Sequence, residues 1–263
     1  MSEVLHRQYG EELYQALLNG QTLQPLTARW PEIGIEDAYR ISLYSIERRV
    51  GAGDAVVGKK IGVTSEAVQR MLNVHQPDFG FITRDMWFDD GDEISLSGNR
   101  LIQPRAEGEI AFKLKKDLVG PGVTEQDVLD ATECVMPCFE IVDSRIHDWK
   151  IRIQDTVADN ASCGVFVIGR EAVDPRELDL PNLRMKVFKN GAQISEGLGS
   201  AVQGNPLTAV AWLANTLGAF GIPFKVGEII LSGSLVPLEP ARAGDHFELT
   251  IDGLGSARVS FRA

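Results

Sequence analysis

The chain has 263 residues, of which 44% are hydrophobic and 24% are charged. This composition is typical of a folded globular protein and argues against intrinsic disorder. The formal net charge of −11 argues against a nucleic-acid-binding protein, because such proteins gather Lys and Arg to neutralise phosphates.

No stretch approaches the roughly 20 consecutive apolar residues that a membrane-spanning helix needs. Residues 1–7 lack the apolar core of a secretory signal. The cysteines, Cys134, Cys138 and Cys163, are odd in number, which suits a reducing compartment better than a disulfide framework. We therefore expect a cytoplasmic protein that binds neither membranes nor nucleic acid.

The first part of the chain is predicted to be helical. The first helix carries an apolar residue every four positions from residue 9 to residue 17, and Gly20 follows as a stop signal. A second helix is predicted over about 36–50 and a short third one over about 65–72. The buried stripe of the second helix is formed by Tyr39, Leu43, Ile46 and Val50.

After residue 80 the hydrophobic period shortens from about 3.6 towards 2, which is typical of β-strands. Asn190-Gly191 separates two such segments and predicts a type I′ hairpin, because both turn residues need positive φ. Two helices interrupt the strands, one capped by Thr124 and the other by Asn205. The strands are predicted around 81–89, 107–115, 135–143, 163–169, 184–189, 192–196, 228–232, 246–251 and 256–262. This order indicates an α+β protein with a folded-over β core.

Two acidic side chains stand out on the strand near residue 110. Ile110, Phe112 and Leu114 alternate and define its buried face, so Glu107 and Glu109 share the opposite face with Cβ atoms about 7 Å apart. Like charges at that distance repel unless water or a cation separates them. From the spacing alone, a solvated strand face is the simpler interpretation.

The position of Glu140 favours a bound cation over a solvated strand face. It lies in an apolar run over 135–142 that reads as an interior strand, where a carboxylate is costly unless it is paired or bound to metal. Arg105 and Arg145 offer the competing explanation, a structural ion pair. An all-oxygen set of three carboxylates would suit Mg²⁺ or Mn²⁺.

Lys60 is the next candidate for chemistry. Adjacent lysines on a strand point in opposite directions, so either Lys59 or Lys60 must face inward from the apolar segment 56–64. An inward ammonium could stabilise a carboxylate or a developing enolate. Two solvated lysines at a strand end are an equally good interpretation of the residues alone.

Several segments across nearly the whole chain add a further signal: 58–64, 76–80, 103–109, 142–145, 157–162 and 231–234. Together and in this order they resemble the hydratase and decarboxylase branch of the fumarylacetoacetate hydrolase superfamily. The resemblance implies a mixed β-roll core over 76–263, with a helical N-terminal region over 1–75 packed on it.

The same resemblance implies roles for individual residues. Glu107, Glu109 and Glu140 would hold Mg²⁺ or Mn²⁺, and Lys60 would touch the substrate. Asp78 would be the acid/base group, because 76–80 has the hydratase pattern where related decarboxylases tend to carry an apolar residue. From the residue pattern alone, without the resemblance, Asp78 is more typical of a residue that forms a turn than of a catalytic group. The segments that would line the substrate pocket contribute Ser162, Ser232, Gly233 and Ser234.

The implied activity is that of a hydro-lyase, which adds water to 2-hydroxypenta-2,4-dienoate to give 4-hydroxy-2-oxopentanoate in meta-cleavage degradation of aromatic compounds. Sister reactions on the same metal site are 4-oxalocrotonate decarboxylation and acylpyruvate hydrolysis. A homo-oligomer is expected. Interpretations of another class are a structural partner in a complex with 4-oxalocrotonate decarboxylase and a binding protein for small acids.

Overall fold

The computed structural model describes residues 2–98 and 101–263 and shows an α+β fold. The helices are α1 (Glu3–Asn19), α2 (Leu26–Arg29), α3 (Ile35–Gly51), α4 (Glu66–Leu72), α5 (Glu125–Ala131), α6 (Ile153–Ala158) and α7 (Pro206–Gly218). The strands are β1 (Val56–Gly62), β2 (Asp78–Thr83), β3 (Trp87–Asp89), β4 (Glu93–Ser95), β5 (Arg105–Leu114), β6 (Thr132–Val142), β7 (Cys163–Ile168), β8 (Arg184–Lys189), β9 (Ala192–Leu198), β10 (Ile229–Ser234), β11 (Glu239–Pro240), β12 (His246–Ile251) and β13 (Gly255–Arg262). None of the helices in the described ranges is long and apolar enough to cross a membrane.

Two sheets form the core. The larger has the order β2-β1-β10-β5-β6-β7-β3, with β11 paired on β5. It is mixed, because β1 runs parallel to β10 and β3 parallel to β7, while the other neighbours are antiparallel. The smaller sheet has the order β4-β13-β12-β8-β9. Since β1 belongs to the larger sheet, that sheet extends into the range 1–75.

One face of the larger sheet packs on the smaller sheet to form the main hydrophobic core. Phe139 of β6 meets Phe247 of β12 edge to face, with ring centroids 6.2 Å apart. Gly108 of β5 allows the close approach, because a Cβ there would lie 2.4 Å from the Met185 sulfur of β8. Alternation along β5 then turns the residues on either side of Gly108 towards the opposite face of the larger sheet.

The local signals read from the sequence act as predicted. Gly20 ends α1 in the left-handed conformation. Either Thr64 or Ser65 was expected to cap the third predicted helix, and Ser65 does so by accepting the Val68 N–H. Thr124 and Asn205 cap α5 and α7 through their side-chain oxygens. The type I′ hairpin is confirmed by positive φ at both turn residues, 53° at Asn190 and 83° at Gly191, between the paired strands β8 and β9.

Two predictions need correction. The single strand expected over 81–89 is wrong, because a 3₁₀ turn at Arg84–Met86 divides it into β2 and β3. These two strands lie at opposite edges of the larger sheet. Val50, in the last turn of α3, is 47% exposed rather than buried.

A matched pair of phenylalanines tests where the core lies. Phe112 of β5 is fully buried, whereas Phe220 after α7 is 66% exposed. We expect Phe112→Ala to lower the free energy of unfolding by about 3–5 kcal/mol, through lost burial and a residual cavity. Phe220→Ala should change it by less than about 0.5 kcal/mol. Urea unfolding measures both, and equal losses would contradict the assigned core.

Candidate active site

The acidic residues singled out from the sequence meet on the face of the larger sheet that points away from the smaller one. In the antiparallel pairing of β5 with β6, Glu107 lies directly opposite Glu140. Side chains at such positions share a face, with Cβ atoms about 4.5–5.5 Å apart. Glu109 follows two residues along β5 on the same face. The strand register therefore gathers the three carboxylate side chains.

Glu140 is fully buried, and neither of its carboxylate oxygens makes a hydrogen bond of good geometry with any described residue. Its nearest cation is Lys60, whose Nζ lies 3.3 Å from Glu140 Oε1. The arginines considered as partners are engaged elsewhere. Arg105 stacks on a tryptophan ring 4.6 Å from its centroid, and Arg145 pairs with Asp159 at 2.6 Å. Lys60 is therefore the cation that faces Glu140.

Both lysines of β1 are buried, with 2% of Lys59 and 3% of Lys60 exposed. They lie on opposite faces of the strand. Lys59 forms an ion pair with Glu228, while Lys60 donates to the Ala161 carbonyl at 3.0 Å. The interpretation as two solvated lysines is thus wrong. Lys60 is held between a carbonyl and a carboxylate, with its ammonium directed at the acidic cluster.

The carbonyl that fixes Lys60 belongs to an unusual turn. Asn160, Ala161 and Ser162 all have positive φ, at 54°, 46° and 52°. Such a conformation costs a non-glycine residue roughly 1–2 kcal/mol, and it is found preferentially at functional sites. The Asn160 amide holds the turn against β2 by bonding the Phe81 N–H and carbonyl, each at 2.8 Å. The turn therefore orients the Ala161 carbonyl rigidly.

Asp78 is the first residue of β2 and is 2% exposed, so it lies in a buried strand and not in a turn. It pairs across the sheet with Gly62, where a Cβ would lie 2.3 Å from Asp78 Oδ1 and 3.0 Å from Lys60 Nζ. Glycine at this position leaves room for both groups. Asp78 Oδ1 has no hydrogen-bond donor among the described residues.

The electrostatics of Asp78 suit proton transfer. Burial raises its pKa to about 6, the positive charge of Lys60 opposes that rise, and the negative charge of Glu140 adds to it. A carboxyl group with a pKa near neutrality can both accept and return a proton under physiological conditions. Burial and the charges of Lys60 and Glu140 thus bring the pKa of Asp78 towards neutrality.

The segment 231–234 reaches the same cluster through its backbone. The Gly233 N–H donates to Glu109 Oε2 at 2.8 Å. Gly233 has φ +110°, and a Cβ there would lie 2.4 Å from a threonine methyl group, so glycine is required. The hydroxyl group of Ser232 is fully buried and has no hydrogen-bond partner among the described residues. Ser232 is thus the hydroxyl of this segment that remains open to a ligand.

The other predicted pocket hydroxyls are engaged within the protein. Ser234 donates to a backbone carbonyl two residues later at 2.6 Å. Ser162 shares a hydrogen bond of 3.1 Å with Thr156. These bonds brace the loops around the acidic cluster, and both residues lie in segments that contact it.

Burial raises the pKa of each of the three glutamates. The charge of Glu140 adds to the rise for Glu107 and Glu109, while Lys60 opposes it in all three. A single lysine does not balance this much buried negative charge. The cluster must therefore take up protons or a further cation.

The cluster has the composition of a hard-cation site, although its side chains are not arranged as one. No group of three or more His, Cys, Asp or Glu side chains in residues 2–98 and 101–263 is placed to hold a metal ion as it stands. Glu140 is directed at Lys60 and Glu109 at the Gly233 N–H. The donors are all carboxylate oxygens from facing strands, and neither Glu140 oxygen accepts a hydrogen bond of good geometry from the described part of the chain. The residue types and the strand register fit a hard divalent cation.

One contributor to the site was not identified from the sequence. Gly62 acts through the absence of a side chain, which no hydrophobic pattern reveals. Tyr39 of α3, assigned to a core stripe, does pack on the core, where its ring stacks on Phe79 with centroids 4.2 Å apart.

The fumarylacetoacetate hydrolase C-terminal family matches residues 50–262, so the chain belongs to that family. Relatives of known name fall in the same branch. The chain is 65% identical over 252 residues to 2-hydroxyhexa-2,4-dienoate hydratase of Comamonas testosteroni, covering 96% of each chain. It is 62% identical over 222 residues to 2-hydroxypent-2,4-dienoate hydratase of Pseudomonas putida, covering 84% of this chain and 100% of that one.

The fold is shared with a solved relative. The structure of 4-oxalocrotonate decarboxylase from Pseudomonas putida G7, complexed with magnesium and adipate, superposes with a TM-score of 0.96. The two chains are 33% identical, and the match covers 99% of this chain and 98% of that one. The α+β fold of the family expected from the sequence is therefore confirmed.

The raised pKa of Asp78 predicts a pH dependence of stability. Between its ordinary value of 3.8 and about 6, the folded state binds this proton more tightly than the unfolded state. The free energy of unfolding should therefore fall as pH rises through that window in protein treated with a chelator. Asp78→Asn should flatten the slope, whereas Asp85→Asn, at an exposed position nearby, should leave it unchanged. Urea unfolding from pH 4 to 7 measures the slopes, and an unaltered slope in Asp78→Asn would refute the assigned pKa.

Proposed function

We propose that this protein is a hydro-lyase that adds water to 2-hydroxypenta-2,4-dienoate and forms 4-hydroxy-2-oxopentanoate. The observation that carries the proposal is a group of charged side chains on one sheet face. Asp78, Lys60, Glu109 and Glu140 are buried there, and the half-buried Glu107 faces Glu140. The names of relatives at 65% and 62% identity support the same chemistry. These names differ in dienoate length, so a substrate of six carbons belongs within the proposal.

The proposed cofactor is Mg²⁺ or Mn²⁺, held by Glu107, Glu109 and Glu140. A bound cation of this kind would supply Lewis acidity towards the carboxylate and 2-oxo oxygens of the substrate. The magnesium in the solved decarboxylase supports a divalent ion at this fold. The Glu140 oxygens accept no hydrogen bond of good geometry from the residues that the structure describes, and this supports its place as a ligand.

The protein's own residues account for the proton transfers. In the first step the 2-hydroxyl group loses its proton and C5 gains one, which gives a 2-oxo-3-enoate. In the second step a water O–H bond breaks, its oxygen joins C4, and C3 gains a proton. Asp78 accepts the water proton and returns one to carbon, since its pKa of about 6 permits both. The Lys60 ammonium stabilises the negative charge that develops on the 2-oxo oxygen.

The nearest alternatives are 4-oxalocrotonate decarboxylation and acylpyruvate hydrolysis at the same proposed metal site. The solved decarboxylase has nearly the same fold. Decarboxylation consumes no water, so it gives no role to a buried acid/base group at Asp78. Hydrolysis of an acylpyruvate would break a C–C bond and give two acids. A structural partner of the decarboxylase would have no turnover of its own. Product analysis with the isolated protein separates these outcomes.

A homo-oligomer, a complex with 4-oxalocrotonate decarboxylase and a cytoplasmic location also remain proposals. The oligomer and the complex can be tested by light scattering of the protein alone and of its mixture with the decarboxylase.

The central assay follows loss of the dienol absorbance in the ultraviolet and identifies the product by NMR. We expect hydration with Mg²⁺ or Mn²⁺ and its loss in excess chelator, restored by adding either ion back. Full activity after exhaustive chelation would overturn the metal proposal. A product other than 4-hydroxy-2-oxopentanoate would overturn the proposed reaction.

Asp78→Asn tests the acid/base assignment. We expect kcat to fall at least about 100-fold, because general acid/base catalysis contributes about 10²–10⁴, while Mg²⁺ affinity measured by calorimetry stays near that of the wild type. Asp85→Asn, at an exposed position, serves as the matched control and should retain full activity. Hydration by Asp78→Asn at the wild-type rate would show that another group moves the proton.

A further inference from the structure

The chain turns sharply where β1 ends at the acidic cluster. Val63 directly follows β1 and has a positive φ of 56°. Positive φ is a genuine outlier for a β-branched residue, and such strain is found preferentially at functional sites. The side-chain amide of Gln69 holds the turn by donating to the Val63 carbonyl at 3.0 Å. This strained turn fixes the position of the next residue, Thr64.

Thr64 packs against the loop that binds Glu109. A Cβ on Gly233 would lie 2.5 Å from Thr64 Oγ1 and 2.4 Å from the Thr64 methyl group. The Gly233 N–H donates to Glu109 Oε2 at 2.8 Å. Two residues before Thr64, a Cβ on Gly62 would lie 2.3 Å from Asp78 Oδ1. The turn therefore runs from the Asp78 end of the site to the Glu109 end.

The hydroxyl group of Thr64 is not used by the fold. Thr64 is 5% exposed, and its hydroxyl makes no hydrogen bond with residues 2–98 or 101–263. The neighbouring Ser65, and not Thr64, caps α4. A hydroxyl group buried without a partner costs free energy unless a ligand supplies one. The position of Thr64 therefore suits contact with a bound molecule.

An anionic substrate needs hydrogen-bond donors in this site. Glu109 and Glu140 are buried there, so a further carboxylate enters against like charge unless donors receive it. The Gly233 N–H is already bonded to Glu109. The Lys60 ammonium is directed at Glu140, 3.3 Å away. The Thr64 hydroxyl is a donor beside the same cluster that no described residue engages.

We propose that Thr64 is a substrate-binding residue, whose hydroxyl group donates a hydrogen bond to the carboxylate of the bound 2-oxo acid. This inference rests on the proposed function, because it assigns a contact to the acid that the proposed reaction consumes. The reaction leaves that carboxylate unchanged, so the contact is the same before and during the proton transfers. It therefore contributes to substrate affinity and not to the rate of the chemical step.

Thr64→Val tests the contact, because valine keeps the branched shape and removes the hydroxyl group. Loss of a hydrogen bond to a charged group weakens binding about 10- to 100-fold. We expect KM for the dienoate to rise by that factor, as should Kd for 2-oxopentanoate, a 2-oxo acid that cannot be hydrated. The value of kcat should change less than about threefold. Calorimetry measures Kd, and loss of the dienol absorbance gives KM and kcat.

Thr64→Ser and Thr64→Ala form a second pair, which differs only in the hydroxyl group and keeps the test valid if valine does not fit. Serine should bind 2-oxopentanoate within about threefold of the wild type, whereas alanine should bind it as weakly as valine. Thr250→Val, on β12 of the smaller sheet, is the matched control and should bind like the wild type. Melting temperatures and Mg²⁺ affinities of all variants should stay near those of the wild type.

Wild-type affinity for 2-oxopentanoate in Thr64→Val and Thr64→Ala would overturn the inference. Equal weakening by serine and alanine would also overturn it, because the loss would then come from the methyl group. A matching loss of Mg²⁺ affinity would place the hydroxyl group at the cation site instead. A wild type that binds 2-oxopentanoate without hydrating the dienoate would overturn the proposed function.

Discussion

The structure depends on the burial of more negative charge than its own cations neutralise. Glu109, Glu140 and Asp78 are each at most 2% exposed, and Glu107 faces Glu140 across the β5–β6 pairing. Lys60 is the buried cation that contacts this group, at 3.3 Å from Glu140. Desolvation of carboxylates costs several kcal/mol for each ion unless a partner offsets it. The fold must therefore contribute enough stability elsewhere to keep the cluster assembled.

That contribution comes from the opposite face of the same sheet and from rigid loops around the cluster. Apolar residues that alternate with the acidic ones pack on the smaller sheet, and Gly108 lets the sheets approach. The left-handed turn at 160–162 holds Lys60 through the Ala161 carbonyl. A single strand thus serves both stability and chemistry, because successive side chains point to opposite faces.

Much of this arrangement could be predicted from the sequence, because it depends on local rules. Alternation placed Glu107 and Glu109 on one face, and the apolar run around Glu140 indicated an interior strand. The partner of Glu140 could not be predicted, since Lys60 is 80 residues away and meets it only through the order of strands in the sheet. The break between β2 and β3 was missed, because apolar spacing continues through the turn at Arg84–Met86.

We expect one hard cation to bind all three glutamates. Crystals grown with Mn²⁺ and measured near the manganese absorption edge test this most directly. A single strong anomalous peak should lie within about 2.3 Å of an oxygen from each of Glu107, Glu109 and Glu140, with Glu140 turned from Lys60 towards the ion. A peak elsewhere, or glutamates that remain directed at Lys60 and the Gly233 N–H in saturating Mn²⁺, would contradict it.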